Sequence, residues 1–479
     1  MEQATIPHAP AGDGPLGREV WVVAGVIVLG VIMSILDTTI VNVALDTLAR
    51  ELDAPLSTIQ WVSTGYLLSL AMTIPLSGWT SERFGAKPVW MTSVAVFGAG
   101  SILCGLAWSA DSLIAFRILQ GFGGGMILPV GMSVLAQTAG PNRVGRVMSV
   151  IGVPMLLGPI LGPVLGGLIV VNVSWRWIFY VNVPIVVLAL VLAWRLLDPM
   201  SGRADAGRLD RVGVALLSPG LAGIVFGLSE VETHGGIGAP IAFGPMLAGT
   251  ALVVAFGLHA WGAERPLIDM RLFASGEYRA AAIAILFVGA ALFGAMLVLP
   301  LYYQVARGED ALSAGLLMAP QGLGAALAMP FAGRLTDRVG GGRVALVGVI
   351  VLVLASLPFA RVGAHTPYAL LAGVLFVRGI GFGCSMMPTM AAAYANLQPA
   401  AMPRATSALN VMQRIGGALG TALLAVVLQH QIAAPQSTAN AFAHTFAWAV
   451  GLALLALVPV ALLARRERRP AATPVTPRA

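Results

Sequence analysis

Gly78-Trp79-Thr80-Ser81-Glu82-Arg83-Phe84-Gly85-Ala86-Lys87 follows one long apolar stretch of this chain. Gly333-Arg334-Leu335-Thr336-Asp337-Arg338-Val339-Gly340-Gly341-Gly342-Arg343 follows another, much later. Both read Gly, three residues, acid, Arg, one residue, Gly, then a basic residue close by. A simple excess of basic residues on one side of a membrane explains the arginines, but not two matching Gly-acid-Arg-Gly frames. A weaker echo runs from Phe116-Arg117 through Gly121-Phe122-Gly123 to Pro129, and from Val377-Arg378 through Gly381-Phe382-Gly383 to Pro388, with the arginine spacing differing by two. The chain is therefore read as two halves built on one plan.

The surroundings of these frames are those of a membrane protein. Of 479 residues, 58% are hydrophobic and only 10% charged, against about 25% charged in a soluble domain. A span needs about 20 predominantly apolar residues. Fourteen stretches qualify: 20–43, 58–80, 88–108, 112–136, 146–171, 180–198, 211–230, 240–262, 279–303, 312–333, 343–361, 367–390, 405–429 and 442–464. The expected fold is all-α and polytopic, with a tail over 1–19, a six-helix bundle over 20–198 and an inserted helix pair with its linkers over 199–278. A second six-helix bundle over 279–464 and a basic tail over 465–479 complete it. Repeated halves of this kind are how secondary transporters build two bundles that rock around a midplane site.

Arg50, Arg176, Arg307 and Arg361 fall on one side of the membrane, and Arg117, Arg378 and Arg414 lie within spans. Every other Lys and Arg falls on the opposite side, which places both termini in the cytoplasm. The basic balance therefore reflects topology and not nucleic acid. The first apolar run is long enough to span and follows no charged leader segment, so it reads as an uncleaved helix. Cys104 and Cys384 lie in apolar helices and imply no disulfide framework. A single Lys among abundant Ala, Gly and Arg points to a GC-rich bacterium and its cytoplasmic (inner) membrane.

Asp37, in Leu36-Asp37-Thr38-Thr39-Ile40, is the one acid read as lying deep within a span. Placing a carboxylate there costs roughly 2.5–3.5 kcal/mol on insertion scales, which makes it a functional candidate able to load and release a proton. The structural alternative is an Asp that packs helices by bonding to backbone or a hydroxyl. Arg117 enters about five residues into an inward-running helix, about 8 Å below the outer surface. Asp37 lies about 18 residues past Arg18 on an outward-running one, so the two sit at similar depth. Snorkelling to the outer headgroups is the competing account of Arg117.

In the fifth span, Gly158-Pro159-Ile160-Leu161-Gly162-Pro163-Val164-Leu165-Gly166-Gly167 sets glycines at i, i+4 and i+8 on one face, where another helix can approach closely. The prolines remove backbone donors and bend the helix. The next stretch, Trp175-Arg176-Trp177-Ile178-Phe179-Tyr180-Val181-Asn182-Val183-Pro184, reads through its aromatics as an interfacial belt. Trp61, Tyr66, Gln120, Tyr303, Gln304, Asn410 and Gln413 are candidate walls of a substrate cavity, by stacking, cation–π contact and amide bonding. Taken alone, each reads first as an interface or packing residue. Arg414 opposes cation binding unless it faces away or pairs. No nucleotide loop, catalytic triad or metal-ligand spacing is present, which speaks against an enzyme, an ATP-driven pump and a resident cofactor.

These residues resemble the major facilitator superfamily and, within it, the fourteen-helix drug:proton antiporters of the EmrB/QacA type. The resemblance implies that Asp37 and Arg117 couple protons, Arg117 through the Arg117-Ile118-Leu119-Gln120-Gly121 motif, and that the Gly158–Gly167 string is the antiporter motif that prevents uncoupled leak. It implies a cytoplasmic gate at Gly78, Glu82, Arg83, Gly85 and Lys87, with Gly333, Asp337, Arg338 and Gly340 as its second copy. Glu82 stands where the family has Asp, and Ala86 where it has a basic residue. The implied activity is proton-driven efflux of hydrophobic, often cationic drugs by alternating access. In a host with two membranes, it allows a periplasmic adaptor and an outer-membrane channel as partners. The alternatives are a dedicated exporter of one antibiotic or metabolite, or a sensor that moves nothing.

Overall fold

The computed structural model describes residues 17–139, 147, 162, 165–198, 202, 207–233, 240–264, 266–395, 397–398, 401–433 and 437–467. Every regular element among them is helical. The first half begins with α1 (Arg18–Ile40), which tightens into a 3-10 turn at Val41–Ala44 and continues as α2 (Leu45–Glu51). The second span is split into α3 (Leu56–Thr73) and α4 (Leu76–Phe84), because Pro75 has no N–H to continue the ladder. α5 (Ala86–Gly105) and α6 (Ala110–Ala139) follow, then the short α7 (Trp177–Tyr180) and α8 (Asn182–Leu196).

Two helices, α9 (Arg211–Thr233) and α10 (Pro240–Gly262), pack on each other through Gly220, Gly223 and Gly249. α9 also touches both halves. Ser218 Oγ donates to Met72 O at 2.7 Å, and Ile224 and Leu228 pack on Ala422. The second half comprises α11 (Gly276–Leu301), α12 (Ala311–Val339), α13 (Gly341–Ser356), α14 (Tyr368–Tyr394), α15 (Met402–Ala433) and α16 (Thr438–Arg466).

Twelve helices of the described residues are long and apolar enough to cross a membrane. The two further expected spans are the second, here interrupted at Pro75, and the fifth, of which only 147, 162 and 165–171 are described. The repeat is visible in the backbone. Gly85 (φ 92°, ψ 145°) and Gly340 (φ 96°, ψ 144°) turn the chain from α4 into α5 and from α12 into α13. That region of backbone space is essentially closed to residues with a Cβ, which explains the terminal glycine of both frames.

One apolar core, from Val20 and Trp90 to Met402 and Leu463, joins the halves at the end that carries the chain termini. At the opposite end the halves form separate clusters. Ile40, Trp175 and Phe179 belong to one, and Tyr302, Phe359 and Phe446 to the other. The bundle is thus closed at the termini end and divided at the other.

Candidate functional site

Asp37 is fully buried on α1 and is held by three side chains from two other helices, α6 and α8. Arg117 Nη1 of α6 lies 2.5 Å from its Oδ2. Oδ1 accepts from Gln120 Nε2 at 2.9 Å and from Asn182 Nδ2 of α8 at 3.2 Å. Ser101 Oγ of α5 accepts from Gln120 Nε2 (3.2 Å) and Asn182 Nδ2 (3.0 Å) and donates to Phe179 O (2.9 Å). Arg117 is oriented by its own set of partners. Its Nε donates to Val62 O at 3.0 Å, Nη1 donates to Gln120 Oε1 at 2.8 Å, and the guanidinium lies 4.0 Å from the centre of the Tyr66 ring.

Arg117 is 1% exposed, so it points into the bundle and does not snorkel. A buried pair of this kind is tolerated only when its remaining hydrogen-bonding capacity is satisfied, and these amides satisfy it. Ser101 and Asn182 were not singled out by the sequence reading. Asn182, an amide at the mouth of an apolar run, was legible only as part of the aromatic belt.

The described part of the fifth span abuts α1 directly beyond this network. A Cβ at Gly162 would stand 2.7 Å from Thr39 Cβ, and one at Gly166 would stand 2.9 Å from Ile40 O, whereas one at Gly167 would meet nothing within 4 Å. Gly162 and Gly166 therefore share a seam with α1 and Gly167 does not. Gly158, Pro159 and Pro163 lie outside the described residues.

At the termini end, Arg404 of α15 crosses to the first half. Its Nε and Nη2 lie 2.9 and 2.8 Å from Glu82 Oε2. Beside this pair, at the break around Pro75, Ser407 Oγ lies 3.1 Å from Ile74 O and 3.4 Å from Pro75 O, and Ile74 O also accepts from Ser77 Oγ at 2.6 Å. Gly78 lets the chains approach, since a Cβ there would stand 3.1 Å from Arg404 Cα. Lys87, expected at this gate, is elsewhere. Its Nζ donates to Trp194 O (3.1 Å) and Leu197 O, covering the open C-terminus of α8, where a cation is favoured. Arg83 is exposed at the end of α4, and Gly333, Asp337 and Arg338 lie on the last turns of α12. In the second copy the acid at the turn is Glu467. It accepts from Gly342 N at 2.9 Å, and burial raises its pKa, opposed by that N–H and Arg343.

Between the halves lies a cavity of about 330 Å³. α1 lines it with Val31, Ser34, Ile35, Thr38 and Thr39, and the second half with Phe293, Met296, Met329, Phe382, Met386, Met387, Asn410 and Arg414. Of the expected wall residues, only Asn410 takes part. Trp61 is 40% exposed and stacks on Phe226 of α9, and Gln304 is exposed. Tyr66 and Gln120 are consumed by the charge network, Tyr303 is buried in the second-half cluster, and Gln413 is buried without lining the cavity. A periodic aromatic or amide is equally good at packing, which is why sequence could not separate the two. The methionine pairs facing the cavity were the missed signal.

Two like halves closing on a central cavity, with an ion pair sealed in one half, define a membrane carrier. The Major Facilitator Superfamily model matches residues 27–421, and the chain belongs to that superfamily. It is 41% identical over 442 residues to the multidrug resistance protein B homolog of Mycobacterium tuberculosis, covering 89% of this chain and 81% of that one. It is 30% identical to the putative multidrug resistance protein MdtD of Serratia proteamaculans, over 93% of both chains. The lincomycin resistance protein LmrB of Listeria innocua is 29% identical, over 87% of this chain and 88% of its own. All three are named for drug resistance, which is consistent with the drug:proton antiporter family that the motifs resemble.

Among solved structures, the human organic anion transporter MFSD10 superposes with a TM-score of 0.66 at 18% identity, covering 94% of this chain and all of that one. The proton:xylose symporter XylE gives 0.64 at 14%, covering 92% and 94%. At such identities the likeness is one of fold. The chain is a multi-pass membrane transporter of small molecules and not an enzyme.

Proposed function

We propose that this transporter exports hydrophobic small molecules in exchange for protons across a bacterial cytoplasmic membrane, with both termini in the cytoplasm and no cofactor beyond the proton gradient. The observation that carries this reading is that α1 holds Asp37 against Arg117 and, on the adjoining face, presents Ser34, Thr38 and Thr39 to the cavity. Asp37 itself is sealed from the cavity, so proton and substrate do not compete for the same atoms as a single shared site would require. A proton on Asp37 abolishes its attraction to Arg117. The resulting shift of α1 reshapes the cavity wall and the seam at Thr39 and Ile40.

The Glu82–Arg404 pair holds the cytoplasmic end shut in the state described, and its release admits substrate from inside. Where the host has a second membrane, an adaptor and outer-membrane channel would receive cargo at the divided end.

Everted vesicles holding an acid interior test the proposal. Added hydrophobic compounds should dissipate the gradient through the wild type and not through Asp37→Asn. Dissipation by both proteins would move coupling away from Asp37. Dissipation by neither, across a broad compound panel, would reject antiport.

A further inference from the structure

Arg414 is the one charged residue lining the central cavity, and among the described residues it makes no hydrogen bond or ion pair. The nearest deep carboxylate, Asp37, is already held by Arg117, Gln120 and Asn182. A second buried cation, Arg378, has Gln321 Oε1 and Ser356 Oγ as its hydrogen-bond partners among the described residues. The other acids of the described spanning helices, such as Glu19, Asp111, Glu230 and Glu277, sit in first or last turns. Residues 148–171 contain no Asp or Glu, so the fifth span cannot supply one either. The helical interior therefore carries more positive than negative charge, and the surplus at Arg414 borders the cavity.

The other polar side chains there, Ser34, Thr38, Thr39 and Asn410, carry no charge to offset it. Thr38 Oγ1 donates to Ile35 O at 2.6 Å, Thr39 Oγ1 to Leu36 O at 3.1 Å, and Asn410 Nδ2 to Thr406 O at 2.8 Å. A substrate that fills the cavity expels the water solvating Arg414. A cation would then leave two like charges in low dielectric, whereas an anion would form a charge-assisted bond.

We infer that the cavity takes amphipathic organic anions, with a carboxylate or sulfonate on Arg414 and an aromatic body against Phe293, Phe382 and the methionines. This rests on the exporter reading and replaces the cationic cargo expected from sequence. It has an electrical consequence. An anion leaving and a proton entering both move positive charge inward, so the membrane potential drives the exchange together with the pH gradient. Exchange of a monovalent cation for a single proton would be electrically silent.

Three probes with one ring system separate the possibilities: biphenyl-4-carboxylate, biphenyl-4-carboxamide and biphenyl-4-ylmethyl-trimethylammonium. Binding is measured by calorimetry to the full chain in lipid nanodiscs. The wild type should bind the carboxylate most tightly. Arg414→Gln should weaken the carboxylate about tenfold or more and leave the amide unchanged, which also reports an intact cavity, while Arg414→Lys should retain part of the preference. Equal or tighter binding of the ammonium by the wild type, equal carboxylate binding by Arg414→Gln, or no binding of any probe overturns the inference.

Proteoliposomes separate this from the broader reading. Proton movement with the ammonium or amide but not the carboxylate overturns the anion preference and leaves antiport standing. Selective carboxylate binding without proton movement for any probe upholds the site and rejects antiport.

Discussion

Arg404 of the second half and Glu82 of the first meet at 2.8 Å, so the acid of the first repeated frame is the bolt across the closed end of the bundle. Both side chains are mostly buried, at 15% and 13% exposure. Removing the charge on Glu82 should shift the balance between states by about 1 kcal/mol, or about fivefold. Ser407, fully buried beside the bolt, reports the opening. In a background with Cys104 and Cys384 replaced, a cysteine at position 407 should react with a thiol reagent about fivefold faster when Glu82→Gln is added. An unchanged rate would show that the pair does not hold the gate.

The Asp37–Arg117 pair makes a prediction about stability as well as coupling. Asp37→Asn leaves a buried guanidinium uncompensated, at a cost of about 3–5 kcal/mol. Its thermal unfolding midpoint should fall, and adding Arg117→Gln should recover much of the loss. Substrate-dependent proton release should stay absent in both proteins. An Asp37→Asn/Arg117→Gln protein that couples fully would remove both residues from the mechanism, and full coupling by Arg117→Ala would remove Arg117.

Gly162→Ala should wedge α1 from the fifth helix, because the new methyl would overlap Thr39. The expected result is substrate-independent proton leak in proteoliposomes. Gly167→Ala, which meets nothing, should leak no more than wild type. Thr39→Ala should relieve part of the Gly162→Ala defect. Equal leak from both glycine variants would detach the effect from the α1 seam.

The two turn glycines should respond alike. Gly85→Ala and Gly340→Ala each force a side chain into a glycine-only region, at about 1–3 kcal/mol. Each should lower the unfolding midpoint, whereas Gly451→Ala, a helical position with open space, should not. A neutral Gly340→Ala would show that the second frame does not constrain its turn.

Much of the fold was legible because the solvent dictates it. In hydrocarbon every backbone group must be bonded within its own helix, so long apolar runs become helices whatever their neighbours do. The repeated Gly-acid-Arg-Gly frames were equally legible, since a positive φ admits little but glycine. Depth was readable too. Counting residues along two helices put Asp37 and Arg117 at one level, and the structure brings them into contact.

Azimuth was not readable. Whether Tyr66 faces a cavity or lies under Arg117, and whether Lys87 reaches a gate or closes α8, depends on the rotation of each helix against neighbours far away in sequence. The same holds for Ser407, whose partners are backbone carbonyls at the helix break in the other half. Composition and repeat were enough to establish that this chain spans the membrane repeatedly in two like halves and carries one deep acid. Packing settled the rest: the acid is sealed beside the cavity, while Arg414 borders it with no ion-pair partner among the described residues. The physical reason is that hydrophobic burial fixes what enters the bilayer, whereas the packing of one helix on another fixes which face each side chain presents.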